Sequence, residues 1–151
     1  MENVNNRQKF VIASKVIERF GEDLSGMIFG VWGLAFKPGT DDMREAPAIS
    51  VIKELVKRGA SILAYDPKAM DEAKHLYLKH VKNLSYVDAK YKVLEKASAL
   101  ILLTEWKEFR SPDFEEIKSQ LISPIIFDGR NQYRIFNLEA QGFEYYQIGK
   151  K

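Results

Sequence analysis

From about Gly26 onward, short apolar runs alternate with amphipathic segments. The runs are 27–32 (Met-Ile-Phe-Gly-Val-Trp), 61–65 (Ser-Ile-Leu-Ala-Tyr), 99–103 (Ala-Leu-Ile-Leu-Leu), 124–127 (Pro-Ile-Ile-Phe) and 143–148 (Phe-Glu-Tyr-Tyr-Gln-Ile). Continuous apolar runs of this length mark strands covered on both faces, as in parallel sheets. Between them, Ile49, Ile52, Leu55 and Val56 form a helical stripe after Pro47, which suits a first turn, and Gly59 follows it. Residues 69–79 and 113–120 also read as helices. Asp88 is placed to cap a helix running to about Lys96, and 81–87 fits either state. Ahead of the first strand, Phe10, Ala13, Val16, Ile17 and Phe20 recur at helical spacing over 4–20, with Gly21 placed to end that helix. Five strands with intervening helices predict an α/β fold. It is a Rossmann-like, doubly wound, mostly parallel sheet with helices on both faces, preceded by an N-terminal helix.

Composition narrows the function classes. The chain has 151 residues, enough for one domain with its own core. Lys and Arg total 23 against 21 Asp and Glu, a net charge of +2, and the signs are interspersed, so charge does not argue for nucleic acid or a membrane. There is no cysteine, which removes disulfides, thiolate metal sites and a thiol nucleophile from this chain and is compatible with a reducing cytoplasm. His75 and His80 are spaced for different helix faces, so no metal site is expected. Asp41 and Asp42 are adjacent rather than opposed, a poor acid/base pair, and no catalytic residue is assigned.

Ligands of open α/β sheets bind beyond the carboxyl ends of the strands, and three such ends are unusual here. Residues 33–46 make a long connection carrying Lys37, able to meet a phosphate as a point charge, and Arg44, able to grip one through its fork. A decorated surface loop whose charges pair with one another explains the same composition equally well. Trp32 stands where GxGxxG needs its second glycine, so the fingerprint is incomplete, and a bulky ring there would obstruct a pyrophosphate. Asp66 closes the second run. An acid there can take a ribose, but a turn-starting Asp before Pro67 is the stronger reading. Arg130 follows Phe127-Asp-Gly and either reaches the cleft or lies on an ordinary turn. Glu105, in Thr104-Glu-Trp106, is either functional or part of a strand cap.

The run 33–47, Gly-Leu-Ala-Phe-Lys-Pro-Gly-Thr-Asp-Asp-Met-Arg-Glu-Ala-Pro, closely resembles the C-terminal domain signature of the UDP-glucose/GDP-mannose dehydrogenase family. Tyr65-Asp-Pro-Lys68, Thr104-Glu-Trp106, Phe127-Asp-Gly-Arg-Asn131 and Ile148-Gly-Lys-Lys151 resemble its later motifs in order. Val4-Asn-Asn-Arg-Gln8 resembles the end of its central helical region. The motifs look most like the UDP-glucose branch, with GDP-mannose and UDP-N-acetylmannosamine dehydrogenases as alternatives.

The resemblance implies an NAD-dependent oxidoreductase, cytoplasmic and dimeric when intact. It would oxidise the C6 alcohol of UDP-glucose to a carboxylate through a cysteine-bound intermediate. NAD would sit mainly on a separate N-terminal domain that this chain lacks. Residues 1–21 would then end the dimerisation helix, and 22–151 would form the nucleotide-sugar-binding domain. By position, Phe36, Lys37 and Arg130 would contact the UDP-sugar and Arg44 the NAD phosphates. On this reading the chain is a piece of a longer enzyme, inactive alone. A stand-alone nucleotide-binding module is the competing class. Loss of a helical partner would expose Phe10, Ile17 or Phe20 and favour self-association.

Overall fold

A computed structural model describes residues 4–148, with side chains described from Val11 onward. Helix α1 (Val4–Phe20) precedes β1 (Ile28–Trp32), α2 (Pro47–Lys57) and β2 (Ser61–Tyr65). Helix α3 (Met70–Glu72) widens into a π turn (Ala73–Tyr77) before β3 (Leu84–Tyr86). A 3-10 turn (Lys90–Leu94), β4 (Ala99–Leu102), α4 (Phe114–Gln120), β5 (Ile125–Asp128) and β6 (Glu144–Gln147) complete the chain. All six strands are parallel in the order β3-β2-β1-β4-β5-β6. The chain reverses direction across the sheet between β1 and β4, which makes their carboxyl ends the topological switch point of a Rossmann-like fold.

The apolar runs form these strands because both faces are covered, and alternation sorts their side chains between two cores. Phe29, Val31, Ala99, Ile101, Ile125 and Phe127 pack on one side with Ile12 and Val16 of α1 and Val51, Ile52 and Leu55 of α2. Trp32, Leu100, Leu102 and Ile126 face the other way, onto Val93, Leu94, Phe109 and Ile117. Gly30 lets the Lys90–Leu94 turn approach the sheet: a Cβ there would lie 2.4 Å from the Val93 carbonyl oxygen.

The structure corrects the sequence reading in places. There are six strands rather than five, because the undecided stretch 81–87 contains β3, a short edge strand with one neighbour. Asp88 caps nothing. Its carboxylate accepts from Lys92 Nζ at 2.7 Å, and Ala89 begins the 3-10 turn without a side-chain cap. Most of the α1 stripe is covered by its own domain: Ile12, Ala13 and Val16 are buried and Phe20 packs edge-on to Phe29 at 5.4 Å, while Ile17 stays partly exposed. The Phe10 side chain lies outside the described residues. Gly21 ends α1 as expected, at φ 101°. Arg19 ties α1 to the sheet edge through a forked pair with Glu144, and Asp113 Oδ1 caps α4 from Glu116 N at 3.1 Å. No helix among the described residues is long and apolar enough to cross a membrane.

Two tests follow from this packing. Gly30→Ala should lower unfolding free energy by about 1–3 kcal/mol through overpacking, read from the urea midpoint. Glu144 is held below its ordinary value of 4.5, chiefly by the Arg19 hydrogen bond. Its contribution is therefore present above that value and lost as pH falls through the lower folded-state value. The midpoint gap between wild type and Glu144→Gln should be small, since the pair is partly exposed, and should close between neutral pH and the acid range.

Candidate functional site

Residues 33–46 connect β1 to α2 across the switch point, as the sequence indicates, and their first part is fixed by one buried carboxylate. Gly33 takes φ 102° and donates its N–H to the Tyr65 carbonyl at 2.9 Å. A Cβ on it would lie 2.5 Å from Thr104 N. Leu34 N and Ala35 N then donate to Asp66 Oδ2 at 2.7 and 3.0 Å, and Trp106 Nε1 donates to the same oxygen at 3.0 Å. Lys68 N and Ala69 N donate to Asp66 Oδ1, both at 2.8 Å. Thr104 Oγ1 donates to the Ala35 carbonyl at 2.7 Å. Asp66 is fully buried, as a carboxylate accepting five N–H groups from three segments can be.

This arrangement upholds the turn reading of Asp66 and changes the reason for doubting a dinucleotide at this turn. The Trp32 ring does not lie across the turn. It stacks on Phe109 at 4.8 Å within the second core and donates to the Lys90 carbonyl at 2.7 Å. What occupies the first amides after β1, where a dinucleotide pyrophosphate approaches the backbone, is the Asp66 carboxylate.

Beyond Ala35 the connection turns outward. Phe36 is 45% exposed, and Lys37 is exposed beside it. The return is shaped locally. Phe36 N donates to the Asp42 carbonyl at 2.8 Å, Asp42 N to Thr40 Oγ1 at 3.1 Å and Arg44 N to Asp42 Oδ1 at 2.9 Å, while buried Met43 plugs the arch into the core. The Arg44 guanidinium folds back onto Asp42, with Nη2 3.0 Å from Oδ2. That bond, with the Arg44 backbone N–H, holds the Asp42 carboxyl below its ordinary range, and Lys37 adds a smaller coulombic effect. Arg44 thus meets its own loop in this structure, while its side chain stays 79% exposed.

At the end of β5, Asp128 repeats the device. Its buried carboxylate accepts from Arg130 N at 3.0 Å, from Tyr133 N at 2.7 Å and from the Tyr145 hydroxyl at 2.7 Å. Burial and Asp128 push the Tyr145 phenol well above its ordinary range, so it stays a donor. Gly129 N bonds the Leu102 carbonyl at 2.8 Å, and Asn131 exchanges two hydrogen bonds with the Ile148 backbone. The Arg130 side chain leaves this frame and forms a fork with Glu105, at 2.8 and 3.2 Å. Among the described residues, no hydrogen bond or ion pair joins Arg130 to Phe36, Lys37 or Arg44. All four share the carboxyl edge of the sheet, on loops following β1 and β5. Among the described residues no cluster suits a metal ion.

The sequence reading missed how Asp66, Thr104 and Trp106 converge and that Glu105 meets Arg130. The available signal was an aspartate ending two apolar strands, Tyr65-Asp66 and Phe127-Asp128, each followed by a turn.

A parallel sheet in this order, with a built-up loop at its switch point, defines the class: a Rossmann-like α/β domain. The chain belongs to the UDP-glucose/GDP-mannose dehydrogenase family, as its UDP binding domain; the family model matches residues 30–135. The UDP-glucose 6-dehydrogenase of Rhizobium meliloti (strain 1021) is 40% identical over 147 residues, 97% of this chain and 33% of that protein. The enzyme of the same name from Pseudomonas aeruginosa is 40% identical over 152 aligned positions, 99% of this chain and 34% of that protein. A solved UDP-glucose dehydrogenase structure from Pyrobaculum islandicum superimposes with a TM-score of 0.75 at 29% identity, covering 95% of this chain and 30% of that one. The chain thus spans about a third of the length of the relatives it matches.

Asp66→Ala should cost about 3 kcal/mol or more, because it leaves buried N–H donors without an acceptor. Trp106→Phe, which removes one donor, should cost about 1–2 kcal/mol. Hydrogen exchange should show the amides of Leu34 and Ala35 losing protection in Asp66→Ala. Unchanged protection there would mean that Asp66 does not hold the loop.

Proposed function

We propose that this domain is the nucleotide-sugar lobe of an NAD-dependent, cytoplasmic dehydrogenase that oxidises UDP-glucose to UDP-glucuronate. The observation that carries the reading is the placement of Lys37, Arg44 and Arg130. These exposed cations stand on loops at the carboxyl edge of the sheet, within the stretch matched by the family's UDP binding domain. Phe36 offers an apolar face and Lys37 a point charge to the UDP-sugar, and Arg130 offers a planar fork to an oxyanion. Arg44 rests on Asp42 but is far more exposed than that partner, and it would exchange Asp42 for NAD phosphates held on another lobe.

The NAD itself fits better on that other lobe, because Asp66 already fills the backbone donors at the first turn of this one. NAD accepts the hydrides when bound. The residues here bind and orient the sugar nucleotide and exclude water from one side of it. A thiol nucleophile, which this chain does not contain, would come with the partner lobe in a homodimeric enzyme.

Calorimetric titration of this chain with UDP-glucose and UDP, with GDP-mannose as control, tests the reading. Uridine-selective binding is expected, weakened about tenfold or more in Arg130→Ala and also weakened in Lys37→Ala. Equal binding of GDP-mannose would point to another branch, and unchanged binding in both variants would remove these residues from the site.

A further inference from the structure

Arg130 and Glu105 come from different strand ends, and both are anchored independently of the bond between them. The Arg130 backbone is set by Asp128 Oδ1 at 3.0 Å, and the next turn by Tyr133 N on Asp128 Oδ2. Glu105 sits between two fixed neighbours: Thr104, buried and bonded to the Ala35 carbonyl, and Trp106, bonded to Asp66. Neither loop needs the Glu105–Arg130 pair to keep its shape. The pair is also half in solvent, with side chains 36% and 41% exposed. A bond of that kind contributes little to stability.

Its geometry nevertheless matters. The two carboxylate oxygens take the Arg130 Nε and Nη2 donors in parallel, at 2.8 and 3.2 Å, as two oxygens of a phosphate would. Glu105 therefore occupies the recognition face of the cation that the proposed function assigns to the nucleotide sugar.

We propose that Glu105 is a specificity-determining residue, an internal oxyanion that a ligand's diphosphate must displace from Arg130. This rests on the reading that Arg130 meets the nucleotide sugar. A diphosphate carries enough charge to exchange with the carboxylate, whereas a neutral nucleoside leaves the pair closed, so Glu105 sets, and lowers, the advantage that phosphates give a ligand at this site. The carboxylate stays beside the site after displacement, and its like charge lowers affinity for the anion that replaces it.

Titration of Glu105→Gln with UDP, UMP and uridine tests this, with wild type and Arg130→Ala alongside. Glutamine keeps the length and polarity of the side chain and removes its charge. UDP should bind Glu105→Gln about two- to fivefold more tightly than wild type, the equivalent of one exposed ion pair. The gain should be smaller for UMP, absent for uridine, and should shrink as salt is raised. Weaker or unchanged UDP binding in Glu105→Gln, or no UDP binding by this variant at all, would overturn the proposal. If Arg130→Ala loses UDP while Glu105→Gln gains nothing, Glu105 fails and the site reading stands. If Arg130→Ala binds UDP as wild type does, the site reading itself fails.

Discussion

The buried carboxylate of Asp66 holds together three segments of the chain. It accepts from the first amides after β1, from the turn that opens α3, and from the Trp106 indole after β4. An anion this deep is tolerated only with its oxygens saturated by donors, and removing any segment would leave it underbonded. The long connection over the switch point therefore starts from a rigid base, not from a free strand end. Its exposed arch, with Phe36 and Lys37 outward and Met43 inward, inherits its position from that base.

Asp128 serves the neighbouring side of the sheet in the same way, with two backbone amides and the Tyr145 phenol as donors. The carboxyl edge thus has a common plan. Acids are buried at the strand ends, where they satisfy backbone N–H groups, and the cations of the following loops are left at the surface. The surface cations are not idle: Arg44 rests on Asp42 and Arg130 on Glu105. Such exposed pairs are weak enough to exchange partners, which suits side chains proposed to meet a phosphorylated ligand.

The same base explains how a dinucleotide-type fold can host something other than the usual dinucleotide. The pyrophosphate position after β1 is filled from within, and the proposed nucleotide-sugar site lies outward on the arch and sideways toward the β5 loop. Fold alone does not imply function, and the proposed nucleotide-sugar role rests on those loops.

Much was legible in the chain. Alternating apolar runs gave the parallel α/β class, because strands covered on both faces need continuous hydrophobicity. The β1–α2 connection, the Gly21 stop and the motif order could be read directly, since they depend on local chemistry. β3 could not, because three edge residues carry too little pattern, and Asp88 found a lysine in place of a helix to cap. Trp32 was visible as a missing glycine, but only packing decided that its ring turns into the core and that Asp66 closes the turn. Glu105 and Arg130 are 25 residues apart and became partners through the β4–β5 register, a long-range fact no local pattern encodes. Sequence determined which residues could carry charge to a ligand. Tertiary structure decided which carboxylates are buried in holding the frame and which pair with the exposed cations.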